Sequence, residues 1–284
     1  MSILKDLQIR FKKGSILEQL IYINIAVFIL TLIIGSFSGL FNSKPDFIVN
    51  WFALSSSLDT WITRPWTIIT YGFFHDGFLH ILFNCLWLYI FGRLFSDYFT
   101  PKQLLTFYLL GTVFGGIAYM LSYNFFPVFE GKLGAMVGAS AGVSAIVIGI
   151  ATYIPNYQLR FRFIGYIKVW HLAGFFILMD LIQLAGSNGG GHFSHLGGAL
   201  FGFFYVSQAS NKKLNIFGSL SNLFKRKQKP LRTVHKSKRR PAPQPKHVKP
   251  DKQQKIDDIL DKISKSGYDT LSKEEKEFLF KQGK

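Results

Sequence analysis

The sequence predicts an all-α polytopic membrane protein: a six-helix bundle with a basic linker and a short helical module at its C-terminal end. Three observations lead there. Apolar runs long enough to cross a bilayer recur along the chain, charge is segregated from them, and basic residues favour alternate connections between them. The 284 residues carry a net charge of +17 and are 49% hydrophobic. Residues 15–209 are apolar with few charges, whereas 211–284 hold much of the Lys and Arg. A soluble core would interleave charge with apolar residues; this pattern does not. The single cysteine, Cys85, lies inside an apolar run, so the chain forms no internal disulfide.

Residues 1–14 read as a leader. Ile3, Leu4, Leu7 and Phe11 make one helical face, ringed by Lys5, Arg10, Lys12 and Lys13, with Ile9 on the opposite side. This suits an interfacial helix on anionic lipid, and equally a basic leader that only sets topology. Six spans follow within a membrane domain of residues 15–210, at about 17–37, 77–94, 103–124, 137–154, 164–186 and 193–209. The first is longer than a signal-peptide core and no convincing cleavage site follows it, so it is read as a retained helix. Basic residues precede span one, join spans two to three (Arg93, Lys102) and four to five (Arg160, Arg162), and follow span six (Lys212, Lys213). The positive-inside rule then puts both termini in the cytoplasm. Spans two, four and six therefore all begin on the outer face. The connection over 38–76 is too long for a turn and carries Trp51, Phe52, Trp61 and Trp66. It is expected to pack partly into the outer leaflet and, at that length, to be functional.

The unusual polar residues stand at the heads of those three spans. In "HDGFLHILFNCLW", His80 and Asn84 are four apart and share a helical face, either as interhelical hydrogen-bonding glue or as donors to something else. His75 lies earlier, nearer the surface. In "GASAG", Gly138 to Gly142 fit the G-x-S-x-G pattern around Ser140. Without a preceding strand, that motif is also ordinary small-residue helix packing. Length argues further. A helix from Ser140 to about Pro155 spans only about 22 Å, against a hydrocarbon core of about 30 Å. Ser140 then starts its helix below the outer surface, under irregular backbone that is tolerated only beside protein or a water-filled cavity. In "GHFSHLGGALFG", His195 is followed by Gly198 and Gly202, a face that admits close backbone approach. His195 reads as a satisfied structural histidine or as an imidazole held against Ser140. No carboxylate is near either residue in sequence; Asp180, fifteen residues before His195, is a lesser candidate for orienting something. Together a serine, a histidine and a His/Asn donor pair on one membrane face meet the requirements of acyl transfer.

"HILFN" (80–84), "GASAG" (138–142) and "SHLGGALFG" (194–202) resemble the rhomboid intramembrane serine proteases, in that order, with "RPW" (64–66) also similar. The resemblance covers about 15–209. It implies a six-helix bundle in a bacterial inner membrane, with the site opening outward. It implies a Ser140–His195 dyad without a third acid, and an oxyanion hole from His80, Asn84 and the Ser140 N–H. Gly138 and Ala139 precede the nucleophile. The substrates implied are single-span membrane proteins, with no metal or cofactor. Where some members carry a tyrosine against the histidine ring, this chain has Ser144. His192 falls outside the dyad motif and is left as a rim residue. The rival reading is an inactive rhomboid-like protein that binds transmembrane helices; a solute transporter would need ionisable residues along a through-path.

The tail divides again. Residues 211–252 form a basic, proline-rich linker, with Lys225, Arg226, Lys227, Arg232, Lys238, Arg239 and Arg240 among five prolines. Anionic lipid headgroups are its expected partner, with nucleic acid not expected. Residues 253–284 read as a small helical hairpin: Ile256, Ile259, Leu260 and Ile263 make a stripe that stops near Gly267, and Ser272 with Glu275 fits a capping box. It resembles a C-terminal module of some bacterial rhomboid homologues.

Overall fold

A computed structural model describes residues 3–41, 50–162, 164–210 and 251–282. The described residues fall into two units, one up to residue 210 and one from residue 251. The linker reading over 211–250 lies outside them.

Helices occupy all six apolar segments. The leader is α1 (Ile3–Lys13), followed by α2 (Ile16–Leu40). Ser15 caps α2 in a reciprocal box with Glu18: the Ser15 N–H donates to Glu18 Oε2 at 2.7 Å and the Glu18 N–H to Ser15 Oγ at 3.3 Å. Two short helices in the long connection are α3 (Leu58–Thr63) and α4 (Thr67–Thr70); the bundle continues with α5 (Phe78–Ser96) and α6 (Pro101–Phe125). Thr100 and Gln103 box the start of α6 behind Pro101 at its first position. Then come α7 (Ser140–Tyr153), α8 (Val169–Ile182) and α9 (Gly189–Ser210). By length and composition α2, α5 and α6 are able to cross a membrane, and α7 and α8 are shorter apolar helices.

α2 keeps Leu17, Leu20 and Phe28 buried and leaves Ile29, Leu30, Leu32 and Ile33 exposed. So wide an apolar surface suits lipid rather than water. Phe91, Phe95, Phe107, Tyr108, Ile146 and Ile150 pack at the centre. Buried Asn24 of α2 donates from Nδ2 to Tyr108 Oη at 2.9 Å, and the Tyr108 hydroxyl donates to the Gly72 carbonyl at 2.8 Å. That chain ties α2 to α6 and to the approach to α5.

Two small sheets depart from the all-helical expectation. Strand β1 (Leu54–Ser55) pairs antiparallel with β2 (Ala135–Met136), joining the long connection to the segment before Ser140. Strands β3 (Gln158–Phe161) and β4 (Gly165–Lys168) form a hairpin. The fifth helix therefore begins at Val169, not near 164, because the hairpin uses those residues. The sixth begins at Gly189, earlier than expected, with Gly190 against the rings of Tyr119 and Tyr123, where no side chain would fit.

In the second unit, α10 (Asp251–Ser266) and α11 (Lys273–Gln282) flank Gly267, whose φ of +82° ends the first helix. The expected capping box is present: the Glu275 N–H donates to Ser272 Oγ at 3.3 Å and the Ser272 N–H to Glu275 Oε2 at 2.7 Å. Ile259 and Leu271 are buried there.

Candidate active site

The segment before Ser140 is irregular and held in place. The Gly138 N–H donates to the Tyr71 carbonyl at 3.0 Å, and the Gly134 N–H to Ser56 Oγ at 2.9 Å. Gly138 sits at φ +135°. A methyl built on it would lie 2.7 Å from His80 Nε2 and 3.5 Å from Ser140 Oγ. Glycine is therefore required twice over, by conformation and by space. It also follows that the His80 ring nitrogen and the serine oxygen gather around one backbone atom. Ala139, buried and at the helix N-cap, fills the base of the turn. Ser140 is the first residue of α7, where its N–H has no intrahelical acceptor and the dipole is positive. At 14 residues α7 is about 21 Å long.

His195 enters from α9. Its Nε2 lies 2.8 Å from Ser140 Oγ. Gly198 and Gly202 make that approach possible: a methyl on Gly198 would stand 2.1 Å from the Ala141 carbonyl oxygen, and one on Gly202 2.2 Å from that of Ala145. The two helices touch backbone to backbone.

On its other side His195 meets Asp180, the lesser candidate for an orienting residue. Its Nδ1 lies 2.8 Å from Asp180 Oδ1, and His192 Nδ1 lies 2.8 Å from the same oxygen. The arrangement departs from a dyad without a third acid. It also moves His192 off the rim, since its side chain is only 13% exposed. These three residues could hold a metal ion by proximity, with ligand atoms within 4.8 Å. The 2.8 Å separations are nonetheless hydrogen-bond distances, whereas zinc at about 2.0–2.2 Å from each ligand spreads them to roughly 3.3 Å. Ser144 lines the cavity, and the ring facing His195 edge-on is that of His192, at 5.6 Å.

On the opposite wall, α5 carries His80 and Asn84 on one face. His80 Nδ1 lies 2.6 Å from Asp76 Oδ1, a carboxylate 75% exposed. Asn84 is buried and donates from Nδ2 to the His80 carbonyl at 2.9 Å; its amide carries a second N–H. His75, expected near the surface, is buried with its ring edge-on to His80 at 5.0 Å. Neither of its nitrogens has a hydrogen-bond partner among the described residues. Burial, and then the neighbouring His80, push His75 down to about 4. Its backbone belongs to the turn that follows Tyr71–Phe73, which points the ring inward.

Ser140, His195, His80, Asn84, Gly138, Ser144 and Asp180 line one cavity of about 830 Å³. Its further walls come from Trp87, Tyr119, Met136 and Phe176. The four-residue spacing of Asp76, in the bend ahead of α5, and His80 was visible in the sequence. The meeting of Asp180 with two histidines was not.

The rhomboid domain family matches residues 63–211, more than half of the chain. The chain belongs to the rhomboid family. Among curated relatives, the mitochondrial RHOMBOID-like protein 12 of Arabidopsis thaliana is 31% identical over 166 residues, covering 54% of this chain and 49% of that protein. The mitochondrial presenilin-associated rhomboid-like protein A of Danio rerio is 29% identical over 147 residues, covering 51% and 37%. Rhomboid protease GlpG of Yersinia pestis (strain Pestoides F) is 25% identical over 197 residues, covering 68% and 62%. The chain thus spans less than two thirds of each relative's length. Residues 246–281 match a family of unknown function, DUF6576. Rhomboid membership and the apolar helices make this an integral membrane protein.

Proposed function

We propose that this rhomboid is an intramembrane serine endopeptidase that cleaves single-span membrane proteins within or beside their transmembrane segments. The observation that carries the reading is the 2.8 Å contact between His195 Nε2 and Ser140 Oγ, at a helix N-terminus that opens into the cavity. His195 takes the Ser140 proton as Oγ attacks the scissile carbonyl. The resulting oxyanion is received by the Ser140 N–H, His80 Nε2–H and the second N–H of Asn84. His195 then protonates the leaving amine, and water admitted through the cavity hydrolyses the acyl-enzyme by the same steps reversed.

Purified protein incubated with a model transmembrane substrate tests this, beside Ser140→Ala and His195→Ala. Each variant is expected to cleave below about a thousandth of the wild-type rate while inserting and melting normally. A serine-directed phosphonate is expected to label Ser140 in wild type only. Wild type that binds the substrate but neither cleaves nor labels would instead make the chain an inactive, helix-binding rhomboid.

The bundle is proposed to cross the membrane six times with both termini cytoplasmic, so that the cavity opens on the other side. The basic linker then faces the cytoplasmic leaflet, at roughly 1 kcal/mol per Lys or Arg near an anionic surface. Co-sedimentation with phosphatidylserine vesicles is expected to weaken when residues 215–284 are deleted and when salt is raised. Binding that ignores both changes would remove the lipid role.

A further inference from the structure

We propose that Asp180 is the positioning residue for the base, holding His195 in the one tautomer that accepts the Ser140 proton, with His192 pinning Asp180 in turn. The proposal rests on the Ser140–His195 reading of the site.

An ionised carboxylate only accepts hydrogen bonds, so the 2.8 Å contact at Oδ1 puts the His195 proton on Nδ1. Nε2, 2.8 Å from Ser140 Oγ, is then left with a lone pair and is the acceptor of the hydroxyl proton. The opposite tautomer would face Ser140 with an N–H and leave Nδ1 lone pair against lone pair with Asp180. When His195 takes the proton it becomes a cation next to this carboxylate. Beside a carboxylate this little exposed, that pairing is worth more than at a surface.

The position of Asp180 fits the task. It comes from α8, while His192 and His195 stand three apart on one face of α9. Its side chain is about 10% exposed. A buried carboxylate needs more than one donor. The second is His192 Nδ1–H on the same oxygen at 2.8 Å, from a ring set edge-on to that of His195. His192 is thus committed to the carboxylate, and only His195 reaches the serine. The competing account is a polar tie between α8 and α9, which would contribute stability and leave the chemistry alone.

Steady-state cleavage by the full-length protein in detergent separates the two, with active sites counted by phosphonate titration. Asp180→Asn keeps the shape and an acceptor oxygen while removing the charge. It is expected to lower kcat per titrated site at least tenfold, with KM within twofold of wild type, and to slow phosphonate labelling by a similar factor. His192→Leu is expected to lower kcat several-fold. Imidazole ¹⁵N shifts of histidine-labelled protein give a readout independent of turnover: wild-type His195 protonated at Nδ1 and bare at Nε2, and a mixed population in Asp180→Asn. A per-site kcat within twofold of wild type in Asp180→Asn would overturn the proposal. So would a loss confined to melting temperature and titratable fraction, or an unchanged His195 tautomer. Failure of the underlying dyad reading looks different: cleavage persists in Ser140→Ala, or wild type does not label at all.

Discussion

Two walls of one cavity carry a histidine beside a carboxylate, and they are built differently. On the α8–α9 wall, Asp180 is sealed in and takes two histidines on one oxygen. On the α5 wall, Asp76 is three-quarters exposed and takes one. The same pair of residue types does different work in the two settings. In the more buried setting, charge is less screened and a single oxygen meets two ring nitrogens. In the open one, water competes for the carboxylate and the pair is worth about 0–1 kcal/mol. The contrast lies in the carboxylates and not in the rings: the acid beside His195 is largely buried, and the acid beside His80 is left in solvent.

The donor wall offers ways to test this contrast. On the proposed mechanism, Asn84→Ala removes a donor that acts mainly in the transition state. A loss of ~10²–10³ in kcat with little change in KM is expected, tempered by the Ser140 N–H. Steady-state kinetics check it, and a defect in KM alone would return Asn84 to interhelical glue. Asp76→Asn is expected to cost less than about fivefold in kcat, because an exposed pair contributes so little. If it cost as much as Asp180→Asn in the same assay, exposure would not be what distinguishes the walls. The smallest effect on turnover is expected at His75, whose ring nitrogens hydrogen-bond to no carboxylate among the described residues. Its folded value of about 4 lies below the unfolded value near 6.5. The unfolded chain therefore binds the proton first, and the stability contributed by neutral His75 is full above about 6.5 and lost as pH falls toward 4. Melting temperature against pH should drop over that window in wild type and drop less in His75→Leu, with cleavage at pH 7.5 near wild type. Parallel curves would show that some other group sets the acid limit.

Much of this was legible in the sequence because membrane helices advertise themselves one at a time. Each apolar run has a length, and Ser140, His195, His80 and Asn84 stand where runs begin. The shortness of α7 and the irregular backbone above Ser140 followed from arithmetic on rise per residue. What the sequence hid depends on two elements at once. Asp180 lies near the end of α8, and whether it meets α9 depends on the rotation of one helix about its axis relative to another. In so apolar a helix, no polar stripe records that rotation. The burial of His75 is of the same kind, set by a turn after Phe73 and not by its distance from span two. Strand β4 falls inside the apolar run from 164 because Ile164, Tyr166 and Ile167 read equally well as helix or strand. The early start of α9 runs against the poor helix propensity of Gly189–Gly191, overridden by the tight fit of Gly190 against two tyrosine rings.

The contact of α9 with α7 has a consequence for which sequences this site tolerates. The gap between Ser140 and His195 is set by one main chain resting on another at Gly198 and Gly202, not by side chains that can exchange rotamers. Any mutation at Gly198 adds at least one carbon, and that carbon has nowhere to go but into the Ala141 carbonyl. A core position filled by leucine has near neighbours in isoleucine and methionine through which a lineage can drift. Position 198 has none, and a single nucleotide change there separates the Ser140–His195 spacing from a bundle forced apart.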